Sequence, residues 1–114
     1  MSTNLEHLWM PFSANRGFKS EPRLMNEAKG MYYKKLDGTK VLDGTAGLWC
    51  CNAGHGNEKI VKAIQTQAAK LDFAPSFQMG HPLAFEAAEK LLSLAPSDAF
   101  QYAFFTNSGS EAVD

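Results

Sequence analysis

The feature that most constrains the fold is the closing stretch of the chain, Gln101–Asp114, which changes character halfway along. Its first part, Gln101–Phe105, is a short apolar run rich in aromatic residues, which predicts a buried strand. Its second part begins at Ser108, and Glu111 follows three residues later, which is the spacing of a helix capping box. The sequence therefore predicts a strand, a tight Ser-Gly-Ser turn and the start of a helix.

Such a turn is a candidate anion site, because the first backbone N–H groups of a helix have no intrahelical acceptor and the helix dipole favours negative charge. Ser108, Gly109 and Ser110 are thus candidates for holding a phosphate, although many capping boxes bind no ligand. The helix has about one turn before Asp114, and so short a helix is unstable on its own. We therefore expect this chain to be part of a longer polypeptide.

The first half of the chain predicts a small antiparallel sheet. The apolar side chains of residues 1–20 follow neither helical nor strand periodicity. Residues 23–43 contain three strand-like runs separated by turn signals at Lys29–Gly30 and Asp37–Gly38. This region is expected to serve as a scaffold.

Helical periodicity dominates the second half. Residues 58–71, with Asn57 as N-cap, have apolar side chains on one face, which predicts a packed surface helix. A second helix is predicted over residues 82–94, with a proline at its first position. This order suits the opening of an α/β layer. We predict an N-terminal segment over residues 1–56 and the incomplete beginning of a larger domain over residues 57–114.

A glycine-rich loop, Asp43–Asn57, lies between the sheet and the first long helix. Loops of this kind often carry binding sites, because glycine lets the backbone approach a ligand closely. Trp49 at its centre is either an aromatic wall for a small ligand or a core anchor. His55 has no recognisable partner in the sequence, so we predict that it satisfies backbone groups and does not activate the thiols of Cys50 and Cys51.

The amino-acid composition excludes several classes of function for this chain. Apolar residues make up 45% and charged residues 20%, as in ordinary globular proteins, and a net charge of −1 offers no basic surface for nucleic acid. No apolar stretch has membrane-spanning length, and no signal peptide is visible. Two adjacent cysteines indicate reduced thiols in a cytoplasmic protein and do not have zinc-site spacing, so no metal site is predicted.

Several motifs in the same order resemble the N-terminal part of class III pyridoxal-phosphate-dependent aminotransferases. They are His7–Phe12 with Asn15–Arg16, Asp43–Trp49, Gly54–Gly56, Phe77–Pro82, and Asn107–Ala112 after Phe104–Phe105. The first of these is similar to the ω-aminotransferases, especially the β-alanine:pyruvate type. The resemblance extends from about residue 7 to Asp114.

The resemblance implies the N-terminal part of a fold-type I subunit, several times longer than this chain, that forms a homodimer and uses pyridoxal 5′-phosphate (PLP). It implies that Ser108–Ser110 hold the cofactor phosphate. It also implies that Trp49 lines the substrate pocket, that Phe12 lies near the pocket entrance, and that the loop of Phe77 reaches the site of the second subunit.

The implied activity is transfer of an amino group from an amine, or an ω-amino acid such as β-alanine, to a keto acid such as pyruvate. The lysine that binds the cofactor covalently in this family has no counterpart here. No catalytic residue is therefore predicted, and the 114-residue chain is expected to be inactive alone. Two alternatives stay open: an aminomutase or racemase of the same class, and a non-catalytic module that binds a phosphate ester.

Overall fold

The computed structural model describes residues 4–114. Its elements are α1 Asn15–Ser20, β1 Met25–Lys29, β2 Tyr32–Lys35, β3 Lys40–Leu42, the short turn α2 Ala46–Trp49, α3 Glu58–Lys70, α4 Pro82–Leu92 and α5 Gly109–Val113. The sequence-based statements about the N-terminus, namely the missing signal peptide and the lack of period in residues 1–20, fall partly on Met1–Thr3, which lie outside the described residues.

The chain divides into two compact units, Met1–Thr66 and Gln67–Asp114. The first unit holds the sheet and the glycine-rich loop, and the second holds α4, the loop before it and the closing stretch. The division falls inside α3. The domain boundary near residue 56 stays a prediction.

The predicted antiparallel sheet is confirmed, with strand order β1-β2-β3. Tyr33 in the central strand pairs with Ala28 on one side and Val41 on the other. The turn between β2 and β3 forms at the predicted Asp37–Gly38 signal, where the Asp37 carboxylate accepts the N–H of Thr39 at 2.8 Å. The β2–β3 connection thus follows from local turn chemistry.

Both predicted long helices are confirmed within two residues at each end. The side-chain oxygen of Asn57 accepts the N–H of Lys59 at 3.1 Å, as expected for an N-cap of α3. Pro82 is the first residue of α4, and that helix ends at Leu92, slightly earlier than predicted.

No side chain among residues 4–114 is fully buried. On α3 the apolar residues Ile60, Val61 and Ile64 are 47%, 40% and 63% exposed. The prediction that this face is packed is therefore wrong within the first unit, whose described residues leave these side chains exposed. The hydrophobic free energy of these side chains is largely unrealised here.

The closing stretch differs from its prediction in its first half only. Residues 101–106 form no strand, and Tyr102 and Phe104 are 90% and 92% exposed. A strand is stabilised by hydrogen bonds to a neighbouring strand, and no described residue supplies them. The predicted buried strand is thus wrong here, whereas the helix start is confirmed, since α5 begins at Gly109 with Ser108 as its N-cap.

Candidate functional site

The glycine-rich loop is organised around the carboxylate of Asp43, which directly follows β3. Its Oδ2 accepts hydrogen bonds from the Gly47 N–H and from Nε2 of His55, both at 2.7 Å. Its Oδ1 accepts from the N–H and the hydroxyl of Thr45 at 3.1 and 3.3 Å. The side chain is only 5% exposed, and burying a charge is unfavourable unless donors surround it. We call Asp43, Thr45, Gly47 and His55 the Asp43 cluster.

His55 joins the end of this loop to the sheet. Its backbone exchanges two hydrogen bonds of 2.8 Å with Gly30, and its ring centroid lies 4.4 Å from that of Tyr33. Because a carboxylate has only acceptor atoms, Nε2 must carry the proton in the bond to Asp43. The prediction that His55 satisfies only backbone groups is therefore wrong, since its side chain pairs with a residue twelve positions earlier.

The surroundings of Asp43 favour its ionised, carboxylate form. The hydrogen bond from His55 lowers the pKa of Asp43 more than burial raises it, and the donors of Thr45 and Gly47 lower it further. Burial raises the pKa of the Tyr33 phenol, and the charge of Asp43 raises it again. At neutral pH a negative Asp43 therefore lies beside an uncharged Tyr33.

Ala46–Trp49 form one left-handed helical turn, which the sequence does not predict. Their φ angles are 49°, 59°, 55° and 67°. The Trp49 N–H donates to the Thr45 carbonyl at 3.0 Å, and the Cys51 N–H donates to the Ala46 carbonyl at 2.8 Å. Each non-glycine residue in this conformation costs about 1–2 kcal/mol, so surrounding contacts must hold the turn.

Gly47 and Trp49 have different roles in this turn. A Cβ on Gly47 would lie 3.2 Å from Sγ of Cys51 and 3.3 Å from Oη of Tyr33, so the position has no room for a side chain. Trp49 instead points away from such contacts and is 82% exposed. Within the described residues of its unit, it is therefore not a core anchor.

Phe12 lies at the tip of a second strained turn, with a φ of 52° and a fully exposed side chain. Asn15 closes this turn: its Oδ1 accepts the Met10 N–H at 2.8 Å and its Nδ2 donates to the Met10 carbonyl at 2.9 Å. The side-chain amide of Asn15 thus pairs with the N–H and the carbonyl of Met10, as the backbone of a neighbouring strand would.

Phe77 lies in the loop before α4 and is 86% exposed. The residue after it, Gln78, has a φ of 60°. The non-glycine residues with positive φ among residues 4–114 are thus Phe12, Gln78 and three residues of α2, including Trp49. Each of them is a predicted substrate residue, adjoins one, or lies in the same turn as one. Backbone strain of this kind clusters at binding sites.

The turn at Ser108 contains a capping box whose return bond is displaced by one residue. The Ser108 hydroxyl accepts the Glu111 N–H at 3.2 Å, and the Glu111 carboxylate accepts the N–H of Asn107, the residue before the N-cap, at 2.9 Å. Within residues 4–114 the N–H groups of Gly109 and Ser110 have no acceptor. A Cβ on Gly109 would meet nothing within 4 Å, so the space beside these amides is open.

The structure places Phe12 and Trp49 in the first unit, in separate turns with no aromatic contact between them, and Phe77 and Ser108–Ser110 in the second. The pairing of Asp43 with His55 was not predicted from the sequence. Its only sequence signal is an aspartate directly after a strand and a histidine near the end of the same glycine-rich loop.

None of the helices in residues 4–114 has both the length and the apolar character needed to cross a membrane. The His, Cys, Asp and Glu side chains of the same residues form no group of three that could hold a metal ion.

Comparison with known proteins gives a consistent result. The family model described as aminotransferase class-III matches residues 13–114. An ω-aminotransferase of Caulobacter vibrioides is 52% identical over 99% of this chain and 26% of its own length. A β-alanine–pyruvate aminotransferase of Pseudomonas aeruginosa is 47% identical over 97% of this chain and 25% of its own length. The chain thus spans about a quarter of these curated relatives.

Among solved structures, an ω-transaminase from Pseudomonas jessenii in complex with PMP superimposes with a TM-score of 0.87. It is 32% identical, and the match covers 96% of this chain and 24% of that one. A transaminase from the marine bacterium Virgibacillus gives a TM-score of 0.85 at 32% identity, over 94% of this chain and 25% of that one.

Proposed function

Because this chain belongs to the aminotransferase class-III family, we propose that the complete protein carrying it is a cytoplasmic, PLP-dependent ω-aminotransferase. It transfers an amino group from β-alanine or a related amine to a keto acid such as pyruvate. The observation that carries this proposal is the identity of 52% and 47%, along nearly the whole chain, with an ω-aminotransferase and a β-alanine–pyruvate aminotransferase.

Ser108–Ser110 are the residues that we assign to the cofactor phosphate. Among residues 4–114 the amides of Gly109 and Ser110 find no acceptor, and they lie at the positive end of a helix, which suits a phosphate group. The Ser108 hydroxyl accepts the Glu111 N–H and still has its own O–H to donate, so the hydroxyls of Ser108 and Ser110 can both donate to phosphate oxygens. These groups fit a phosphate and would hold the cofactor in one orientation.

PLP, when bound, supplies an electron sink that eases proton removal from the amine carbon. The residues of this chain would contribute binding and orientation to that chemistry, because positioning alone lowers a reaction barrier substantially. No residue of this chain is assigned to proton transfer.

Trp49, Phe12 and Phe77 are assigned to the walls of the substrate pocket. Exposed aromatic side chains on strained backbone support this role, because a rigid apolar wall selects ligands by size and excludes water. We further propose that the complete protein is a homodimer in which the loop of Phe77 contributes to the site of the second subunit.

The test uses the complete protein with pyruvate and β-alanine, and measures alanine formation with and without PLP. We expect PLP-dependent alanine. A Ser110→Ala variant should need roughly ten- to a hundredfold more PLP for half occupancy, because a hydrogen bond to a charged group contributes about 1.5–3 kcal/mol. Occupancy is measured from the absorbance of bound PLP.

Ser97→Ala is the control, since it removes a serine hydroxyl of the same unit that lies outside the capped turn and accepts the Ala99 N–H at 3.1 Å, and PLP affinity should not change. Isomerised amino acid without alanine would instead indicate an aminomutase or racemase. Phosphate-ester binding without turnover would indicate a non-catalytic module. Unchanged PLP affinity in Ser110→Ala would remove that residue from the phosphate site.

A further inference from the structure

We propose that Asp43 and His55 are positioning residues that set amine specificity by holding Trp49 in its left-handed turn. This inference rests on the proposed function, because it takes Trp49 as a wall of the substrate pocket. It adds two residues, both remote from the ligand, to the determinants of that pocket.

The turn itself needs an external restraint. Ala46, Leu48 and Trp49 each adopt an unfavourable left-handed conformation. The hydrogen bond between Trp49 and Thr45 lies within the turn and cannot fix its direction relative to the sheet. Relaxation of Leu48 and Trp49 to ordinary φ values would redirect the indole ring and move the Gly47 N–H.

The Asp43 carboxylate supplies that restraint. It holds the Gly47 N–H inside the turn at 2.7 Å and the Thr45 N–H at its start at 3.1 Å. Its own backbone N–H donates to the carbonyl of Met31, in the turn that joins β1 to β2, at 2.9 Å. Asp43 therefore connects the sheet to the turn through a side chain of only two carbon atoms, which leaves little freedom of movement.

His55 fixes the orientation of the carboxylate. It binds the same Oδ2 that holds Gly47, at 2.7 Å, and is itself attached to the sheet through Gly30. The side chains of Asp43 and His55 are only 5% and 10% exposed, so they are poorly placed to contact a ligand themselves. Their effect on a substrate would pass through Gly47 to Trp49, two residues further along.

The experiment is a double-mutant cycle in the complete holoenzyme. The ratio of kcat/KM for 1-phenylethylamine to that for β-alanine is measured in Asp43→Asn, Trp49→Gly and the double variant. We expect Asp43→Asn to change this ratio about tenfold or more, because a displacement of about 1 Å near a reacting group has large effects. In the Trp49→Gly background the same substitution should change the ratio by no more than about twofold, since the coupling is lost.

A second pair of variants distinguishes positioning from general destabilisation. His55→Leu should shift the ratio of kcat/KM values in the same direction as Asp43→Asn. His55→Gln retains an N–H donor and should keep this ratio close to that of the unsubstituted enzyme. If either substitution reduces the amount of folded enzyme, Thr45→Val, which removes only a hydroxyl contact of 3.3 Å, gives a milder test with a smaller shift in the same direction.

The outcomes separate this inference from the proposed function. An unchanged ratio in Trp49→Gly would contradict the assignment of Trp49 to the pocket. A changed ratio in Trp49→Gly with no change in Asp43→Asn and His55→Leu would overturn the positioning role alone. Equal losses for both amines, in both backgrounds, would also overturn it, because a merely structural role acts on all substrates alike.

Discussion

The two candidate binding regions of this chain are held in different ways. The glycine-rich loop is held by the Asp43 cluster, whose central pair spans twelve residues and is almost covered. The turn at Ser108–Ser110 is held by a capping box that spans four residues and is exposed. The first geometry is set by contacts between distant parts of one unit, whereas the second is set by neighbours in the sequence.

This difference indicates what each region needs from its surroundings. The loop already has a nearly buried charge with all its partners, so its strained turn is preorganised. The closing stretch has local order only, and apolar side chains of α4 and residues 100–104 line an open groove beside it, among them Leu92, Phe100 and Phe104. Apolar surface of this extent is normally covered in a folded subunit.

Glycine substitutions give the largest expected contrast between the regions. Gly47→Ala places a Cβ at 3.2–3.3 Å from two neighbouring side chains on a backbone with a φ of 59°, and should destabilise the loop by about 1–3 kcal/mol. Gly109→Ala meets open space and should change stability by at most about 0.5 kcal/mol. Native-state hydrogen exchange at the Trp49 and Ala112 amides measures both effects in the complete protein.

Gly44→Ala serves as the control within the loop, because its Cβ would meet nothing within 4 Å and its φ is not positive. A Gly44→Ala effect as large as that of Gly47→Ala would show that the loop is sensitive to any added side chain. Equal effects at Gly47 and Gly109 would remove the contrast between a preorganised and a locally ordered region.

Acid should release the glycine-rich loop from its restraint. The pKa of Asp43 is lowered below its ordinary value of 3.8 in the folded state. Its stabilising contribution is therefore fully present above about pH 4 and is lost as the pH falls through the lowered pKa. The difference in fluorescence between the complete protein and its Trp49→Phe variant reports Trp49, and it should be constant from neutral pH to about pH 4 and change below that range.

Two variants identify the carboxylate that is responsible for this acid transition. Asp43→Asn should remove it, because an amide does not titrate. Asp37→Asn should leave it in place, since the pKa of Asp37 is also lowered but through the hydrogen bond to Thr39 in the sheet turn. Persistence of the transition in Asp43→Asn would mean that another group controls the Trp49 turn.

The smallest expected effect is at the capping box. Ser108→Ala removes the acceptor of the Glu111 N–H and should destabilise the start of α5 by about 0.5–2 kcal/mol. Ser108→Thr keeps the hydroxyl and should restore most of this stability. Exchange rates of the Glu111 and Ala112 amides report the change, and an unaltered rate in Ser108→Ala would mean that the cap is stabilised by other contacts.

Much of the local structure could be predicted from particular residues. Asp37–Gly38 determined a turn, Asn57 and Pro82 determined two helix starts, and Ser108 with Glu111 determined a third. Each depends on residues within four positions of one another, which a sequence pattern records directly. The buried strand over residues 101–105 could not be judged in the same way, because a strand depends on its neighbours.

The sequence by itself determined the sheet, the long helices, the capped turn and, through its motifs, the family. Only the tertiary structure decided that Asp43 pairs with His55 and that Trp49 stands on a left-handed turn. The physical reason is that capping and turn formation are local, whereas a buried carboxylate takes its donors from wherever the fold brings them. The strain at Trp49 is stable only because those distant donors meet at one atom, Oδ2 of Asp43.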